Sequence, residues 1–102
     1  MQINKRKQWN IGEDIVAQWY LERDFRIIWR NITFRNGELD IIAEKNGLTV
    51  FIEAKIVNVI EEIHDYISPS KLSNLIRSIQ MYCVEHPKVG MMRLDVAFVK
   101  WG

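Results

Sequence analysis

Ile11, Ile15 and Trp19 recur at intervals of four, with Val16 and Tyr20 beside them, in a stretch that is otherwise largely polar. That is the period of a helix with one buried stripe, and it predicts a helix over residues 9–24. Asn10 is the expected N-cap, and Glu13, three residues on, completes a box-like start. Gly12 slightly weakens the first turn. "FRIIWRNITF", residues 25–34, is rich in β-branched and aromatic side chains and predicts a strand. "RNG" at 35–37 marks a turn, and residues 38–45 and 48–57 predict two further strands. Asn46-Gly47 between them is the strongest short hairpin signal available. Residues 58–67 read either as a short helix or as a loop packing a few apolar side chains. Residues 68–87 predict a second helix, capped by Ser68, with Pro69 in its first turn and Pro87 as its stop. Its expected apolar face is Leu72, Leu75, Ile76, Ile79, Tyr82 and Cys83. A last strand is expected over 92–101. The order α-β-β-β-α-β predicts an α/β domain spanning 1–102, with a mixed, largely antiparallel sheet.

The hairpin carries charges that an ordinary half-buried strand pair would not. A two-residue turn at Asn46-Gly47 pairs Lys45 with Leu48, and the register then runs outward in step. Continued, it sets Asp40 opposite Glu53 and Glu38 opposite Lys55. Strand side chains alternate, so all four share one face. Leu39, Ile41, Ala43, Val50, Ile52 and Ala54 form the other face, which is a core surface. Two carboxylates opposed across strands repel each other, which makes sense if a cation sits between them. Mg²⁺ prefers one or two carboxylates together with water and phosphate oxygens. Lys55 is placed to reach a water or a phosphate beside them. Taken singly, each of these residues also reads as a solvated strand charge, and Glu38–Lys55 as a surface ion pair.

Composition narrows the picture. The 102 residues are 48% hydrophobic and 26% charged, values that suit one globular domain. The net charge of +1 does not announce a nucleic-acid binder, although "NKRK" at 4–7 and Arg23, Arg26, Arg30 and Arg35 are local basic groups that could meet phosphate or be solvated. The single cysteine, Cys83, excludes an internal disulfide and fits a reducing cytoplasm. No signal peptide and no membrane-length apolar run is present, so neither membrane nor export is expected. His64 and His86 lack ligand spacing, so no zinc site is expected. Trp9, Trp19, Trp29 and Trp101 are expected in the core or an interface. No glycine loop for cradling phosphate is present, and no small-molecule cofactor is expected.

Asp40 followed by "EAK" on the next strand resembles the PD-(D/E)xK nuclease signature. "GEDIVAQWYLERDFRII", "RNGELDIIA", "VFIEAK", "ISPSKLSNLIRSIQMYCVEHP" and "RLDVAFV" resemble, in order, the motifs of the YraN family, small bacterial proteins similar to archaeal Holliday-junction resolvases. The resemblance runs from about Trp9 to Val99 and implies a restriction endonuclease-like fold acting on DNA with Mg²⁺ or Mn²⁺. Asp40 and Glu53 match the metal-binding carboxylates, with the Ala54 carbonyl as a third expected ligand. Lys55 matches the catalytic lysine. Glu13 matches a first-helix glutamate that approaches the same site; read from the sequence alone, it also suits a first helical turn favoured by the dipole. Glu38 matches the glutamate before the aspartate. Lys71, Asn74 and Arg77 on the second helix, with Arg35, are candidate phosphate contacts, and a solvated helix face is the other reading of the helical three.

The chain departs from the family in one segment. Members usually carry an arginine soon after the lysine, in a flexible stretch with glycine. Here "KIVNVIEEIHDYI" is apolar and acidic, with Glu61, Glu62 and Asp65 and no lysine or arginine between Lys55 and Lys71. Two readings follow: a metal-dependent nuclease of branched or structured DNA, or a non-catalytic DNA-binding or homodimeric assembly module that keeps the nuclease fold.

Overall fold

The structure, a computed structural model, describes residues 5–58 and 67–100, with side chains from residue 10 onward. Six elements follow in order: α1 (Lys5–Leu21), β1 (Arg26–Phe34), β2 (Gly37–Lys45), β3 (Leu48–Val57), α2 (Pro69–Glu85) and β4 (Met91–Lys100). This is the expected α-β-β-β-α-β order. Asn4, most of the segment left open between helix and loop (59–66, with Glu61, Glu62, His64 and Asp65) and Trp101 lie outside the described residues.

The strands lie in the order β1-β2-β3-β4. β1–β2 and β2–β3 are antiparallel, whereas β4, arriving after α2, is parallel to β3. The hairpin turn is as the sequence predicts. Asn46 and Gly47 both have positive φ, 49° and 80°, the geometry that matches the twist of the flanking strands. Lys45 pairs with Leu48, and the ladder proceeds in the expected register as far as Ile41–Ile52. There it stops. Residues 37–39 of β2 remain paired only with β1, and residues 53–57 of β3 only with β4. The two strands therefore diverge just before Asp40 and Glu53, so neither the expected Asp40–Glu53 pair nor the expected Glu38–Lys55 pair is a rung of the ladder.

α1 begins at Lys5, so Asn10 is an interior residue and not its N-cap. Lys, Arg and Gln are good helix formers and extend the helix upstream of the apolar stripe. Glu13 is consequently mid-helix, which removes the first-turn dipole reading. At the other end, Phe25 N–H donates to Tyr20 O (3.1 Å) and Asp24 N–H to Leu21 O (3.1 Å). Asp24 takes φ 67°, and the Phe25 ring meets Tyr20 edge-on at 5.3 Å. This is a Schellman end with its hydrophobic contact, and it turns the chain directly into β1. α2 starts as predicted: Ser68 Oγ accepts from Lys71 N–H at 3.1 Å, and Pro69 opens the first turn.

The two helices cover opposite faces of the sheet. Val16, Ala17 and Tyr20 of α1 pack with Ile41, Ala43, Val50, Ile52 and Ala54. Leu75 and Tyr82 of α2 pack with Leu39, Ile42 and Phe51. Leu39 therefore departs from the expected face; it lies beyond the last β2–β3 rung, where β2 no longer shares the pleat of β3. The buried stripe of α1 is also shifted by one ribbon. Gly12, Glu13, Val16, Ala17 and Tyr20 face inward, while Ile15 and Trp19 are each 49% exposed. On α2, Leu72 and Ile76 are largely exposed and Ser78 is buried. Trp29 is half-exposed, and Trp19 carries the Arg23 guanidinium 3.6 Å above its ring, so neither tryptophan belongs to the core. No helix among the described residues is long and apolar enough to cross a membrane.

Candidate active site

The fork where β2 leaves β3 opens a cleft of about 370 Å³ lined by Asn36, Gly37, Glu38, Asp40, Glu53, Lys71, Asn74, Leu75 and Ser78. Both carboxylates at the fork are buried, Asp40 and Glu53 each 4% exposed. Asp40 takes over the missing ladder contact: its Oδ2 accepts from Ala54 N–H at 2.9 Å. Ala54 thus meets the site through its amide. Burial, and then the Glu53 carboxylate, push Asp40 up to about 7, with Glu13 and Glu38 adding to the rise and the Ala54 hydrogen bond opposing it. An acid this hard to ionise beside a second acid is the electrostatic signature of a place built for positive charge.

Two lysines supply some of that charge. Lys55 Nζ lies 3.4 Å and Lys71 Nζ 3.3 Å from the same oxygen, Glu53 Oε1. Lys71 lies in the first turn of α2, which the Ser68 cap begins. Lys55, the more buried of the two at 12% side-chain exposure against 36%, is held below the ordinary lysine value by burial and by the neighbouring Lys71, against the pull of Glu53. Burial also works against the charge on Lys71. There Lys55, Glu53 and Asp40 together outweigh it, and its value is raised.

Glu13, on α1, is buried, 2% exposed, and near enough for its charge to raise Asp40. Gly12 makes this possible. A Cβ there would lie 2.7 Å from Ile56 Cγ1, so only glycine lets α1 come this close to β3. Glu13 Oε1 accepts from Arg30 Nε (3.1 Å), Arg30 Nη2 (2.9 Å) and Asn31 Nδ2 (3.1 Å). Its other oxygen, Oε2, is buried and has no partner among the described residues.

Of the residues singled out in the sequence, Asp40, Glu53, Glu38, Lys71 and Asn74 line one cleft, and Lys55 joins it through Glu53. Glu13 acts on Asp40 through its charge. Arg77 and Arg35 are exposed and do not line the cleft. Asn36, Gly37 and Ser78 line it without having been anticipated. Ser78 follows Lys71 and Asn74 at offsets of seven and four on one helix face, a pattern hidden because serine carries no periodic apolar signal. Arg30, expected as a basic group meeting phosphate or solvent, instead pairs with Glu13 and Asp14, and Asn31 was not anticipated; an asparagine inside a β-branched run was the available signal. Cys83 is half-buried, and burial pushes its thiol up, as befits a packing residue.

Among the described residues, no three His, Cys, Asp or Glu side chains gather into a ready-made metal cage. Mg²⁺, however, is held by one or two carboxylates plus water. Asp40 and Glu53 meet that requirement, and the orphaned Glu13 Oε2 is a buried acceptor in want of a donor. The residues fit a hydrated Mg²⁺ or Mn²⁺ and do not fit a dehydrated all-protein cage.

Comparison with known proteins agrees with the motif order. Among its relatives, the UPF0102 protein of Helicobacter hepaticus is 35% identical over 100 residues, covering 98% of this chain and 90% of the relative. That of Prosthecochloris aestuarii is 34% identical over 91 residues, covering 86% and 72%, and that of Campylobacter lari is 33% identical over 88 residues, covering 86% and 79%. The model of "Uncharacterised protein family UPF0102" matches residues 12–99, and the chain belongs to that family, the YraN family.

Proposed function

We propose that the protein is a divalent-metal-dependent nuclease of the PD-(D/E)xK type that hydrolyses phosphodiester bonds in branched or otherwise structured DNA. The observation that carries this reading is the fork itself: two buried carboxylates from diverging strands, one raised to about 7, sharing an open cleft with two lysines. Asp40 and Glu53 would hold the metal, with Glu13 reaching it through water. When bound, the metal would polarise the phosphate and make a water more acidic. Lys55, with its lowered proton affinity, would orient the attacking water and stabilise the charge developing on phosphate. Lys71 and Asn74, on the α2 wall, would hold phosphate oxygens of the strand.

A second reading is a DNA-binding or assembly module without catalysis. It is favoured by Glu53 Oε1, which two ammonium groups already neutralise. Titrating Mn²⁺ into the wild type and Asp40→Asn by calorimetry separates the two. Uptake by the wild type that disappears in the variant supports the metal site, and equally negligible heats in both remove it. Cleavage of branched, duplex and single-stranded DNA must then vanish in Lys55→Ala and Glu53→Gln.

A further inference from the structure

We propose that Arg30 and Asn31 of β1 are positioning residues that clamp one oxygen of Glu13 so that the other is presented, bare, to a hydrated metal at the Asp40–Glu53 fork; this rests on the reading of the cleft as a metal site. The key observation is an asymmetry. A guanidinium and a carboxylate that meet only to neutralise each other usually engage fork to fork, one donor to each oxygen. Here Arg30, whose Nη2 is shared with Asp14, directs both Nε and Nη2 at Glu13 Oε1, and Asn31 Nδ2 adds a third donor to the same atom. Oε2 is left buried without a donor among the described residues. Leaving a charged, desolvated oxygen unmatched is costly, and a purely structural ion pair has no reason to do so.

The backbone shows how the asymmetry is built. Consecutive strand residues point to opposite faces, so Arg30 and Asn31 should not reach the same atom. Asn31 adopts φ 55°, a left-handed conformation rare within a strand and tolerated best by asparagine and glycine. Just upstream, the β1–β2 register shifts between Ile27 and Trp29. The left-handed conformation at Asn31 breaks the alternation, and both side chains reach Glu13. Strain of this kind persists where the surroundings over-determine it, characteristically beside functional groups. The same Nη2 also donates to Asp14 Oδ1 at 2.7 Å, and the close Gly12–Ile56 approach seats the helix that carries Glu13. The arrangement restrains Glu13 in the same way that outer-shell partners restrain a metal-ligand carboxylate.

The test is calorimetric Mn²⁺ titration of the full chain as wild type, Glu13→Gln, Arg30→Met, Arg30→Lys, Asn31→Gly and the double variant Glu13→Gln/Arg30→Met. Glu13→Gln, Arg30→Met and Asn31→Gly should each weaken Mn²⁺ binding about 10-fold or more, the range for loss of outer-shell partners. The double variant should be no weaker than Glu13→Gln, because Arg30 acts only through Glu13. Arg30→Lys should recover some of the loss. Asn31→Gly keeps a residue at ease with positive φ, so it carries the test if Arg30→Met does not fold. Binding unaffected by Arg30→Met and Asn31→Gly but lost in Asp40→Asn overturns the clamp and leaves the metal site standing. Losses that multiply in the double variant also overturn it. No uptake by the wild type removes both the clamp and the metal-site reading.

Discussion

Lys71 Nζ stands 3.3 Å from Glu53 Oε1, so an ammonium from α2 rests on the carboxylate best placed to hold a cation. A divalent ion at the fork must share or displace that contact. Lys71→Gln should therefore tighten Mn²⁺ binding about 2- to 5-fold, the equivalent of a partly exposed ion pair. The same change should weaken DNA binding and lower the slope of log K against log salt by about 0.7–0.9, as one phosphate contact is lost. Calorimetry and a salt series on one DNA read the two effects separately.

Asp40 makes stability depend on pH in an unusual direction. Its carboxyl lies at about 7 in the fold against an ordinary 3.8, so between those values the folded chain binds the proton more tightly than the unfolded chain. The stability linked to that proton is complete below about pH 4 and is lost as pH rises through 7. In urea melts without divalent metal, Asp40→Asn should gain on the wild type steadily from about pH 4.5 to about pH 7.5, the window between the two values. A constant difference across that range would contradict the assignment.

Gly12→Ala reverses the usual helix rule. Elsewhere in a helix the change stabilises by about 0.5–1 kcal/mol. Here the new Cβ would meet Ile56 Cγ1 at 2.7 Å and Cδ1 at 2.8 Å, and such overpacking costs about 1–3 kcal/mol. Denaturant melts should show a net loss, and adding Ile56→Ala should cost less in the Gly12→Ala background than in the wild type.

Tyr20 offers a control away from the cleft. Its hydroxyl donates to Asp95 Oδ2 at 2.6 Å, and Arg93 forks onto the same carboxylate. Tyr20→Phe should lower stability by about 1 kcal/mol, the worth of one hydrogen bond, while Mn²⁺ affinity stays unchanged.

What could be read from the chain depended on how local the signal was. Asn46-Gly47 dictates its turn through backbone sterics alone, so the hairpin and its inner register followed directly, as did the Ser68 cap. The fork did not, because where two strands diverge is decided by what covers them. α1 shows the limit of periodicity. Ile15 and Trp19 carry the stronger apolar signal, yet the neighbouring ribbon of Gly12, Glu13, Val16 and Ala17 packs on the sheet. A buried glutamate held by Arg30 and Asn31 is invisible to a hydrophobic count. Asp40, Glu53 and Lys55 were legible because the turn phased them; Arg30 and Asn31 were not, because their convergence needs a left-handed residue inside a strand.

Ala54 N–H donates to a side chain where a sheet would normally offer a carbonyl. The last fastening of the hairpin is therefore made of the same atoms that would grip a ligand. Whatever draws Asp40 Oδ2 away unties that fastening, and whatever steadies Asp40 in place keeps it tied. The Ala54 amide is in this sense a gauge wired into the cleft: its hydrogen-exchange rate should change with occupancy of the fork, while the amides of the inner rungs near Lys45 and Leu48 keep their own pace.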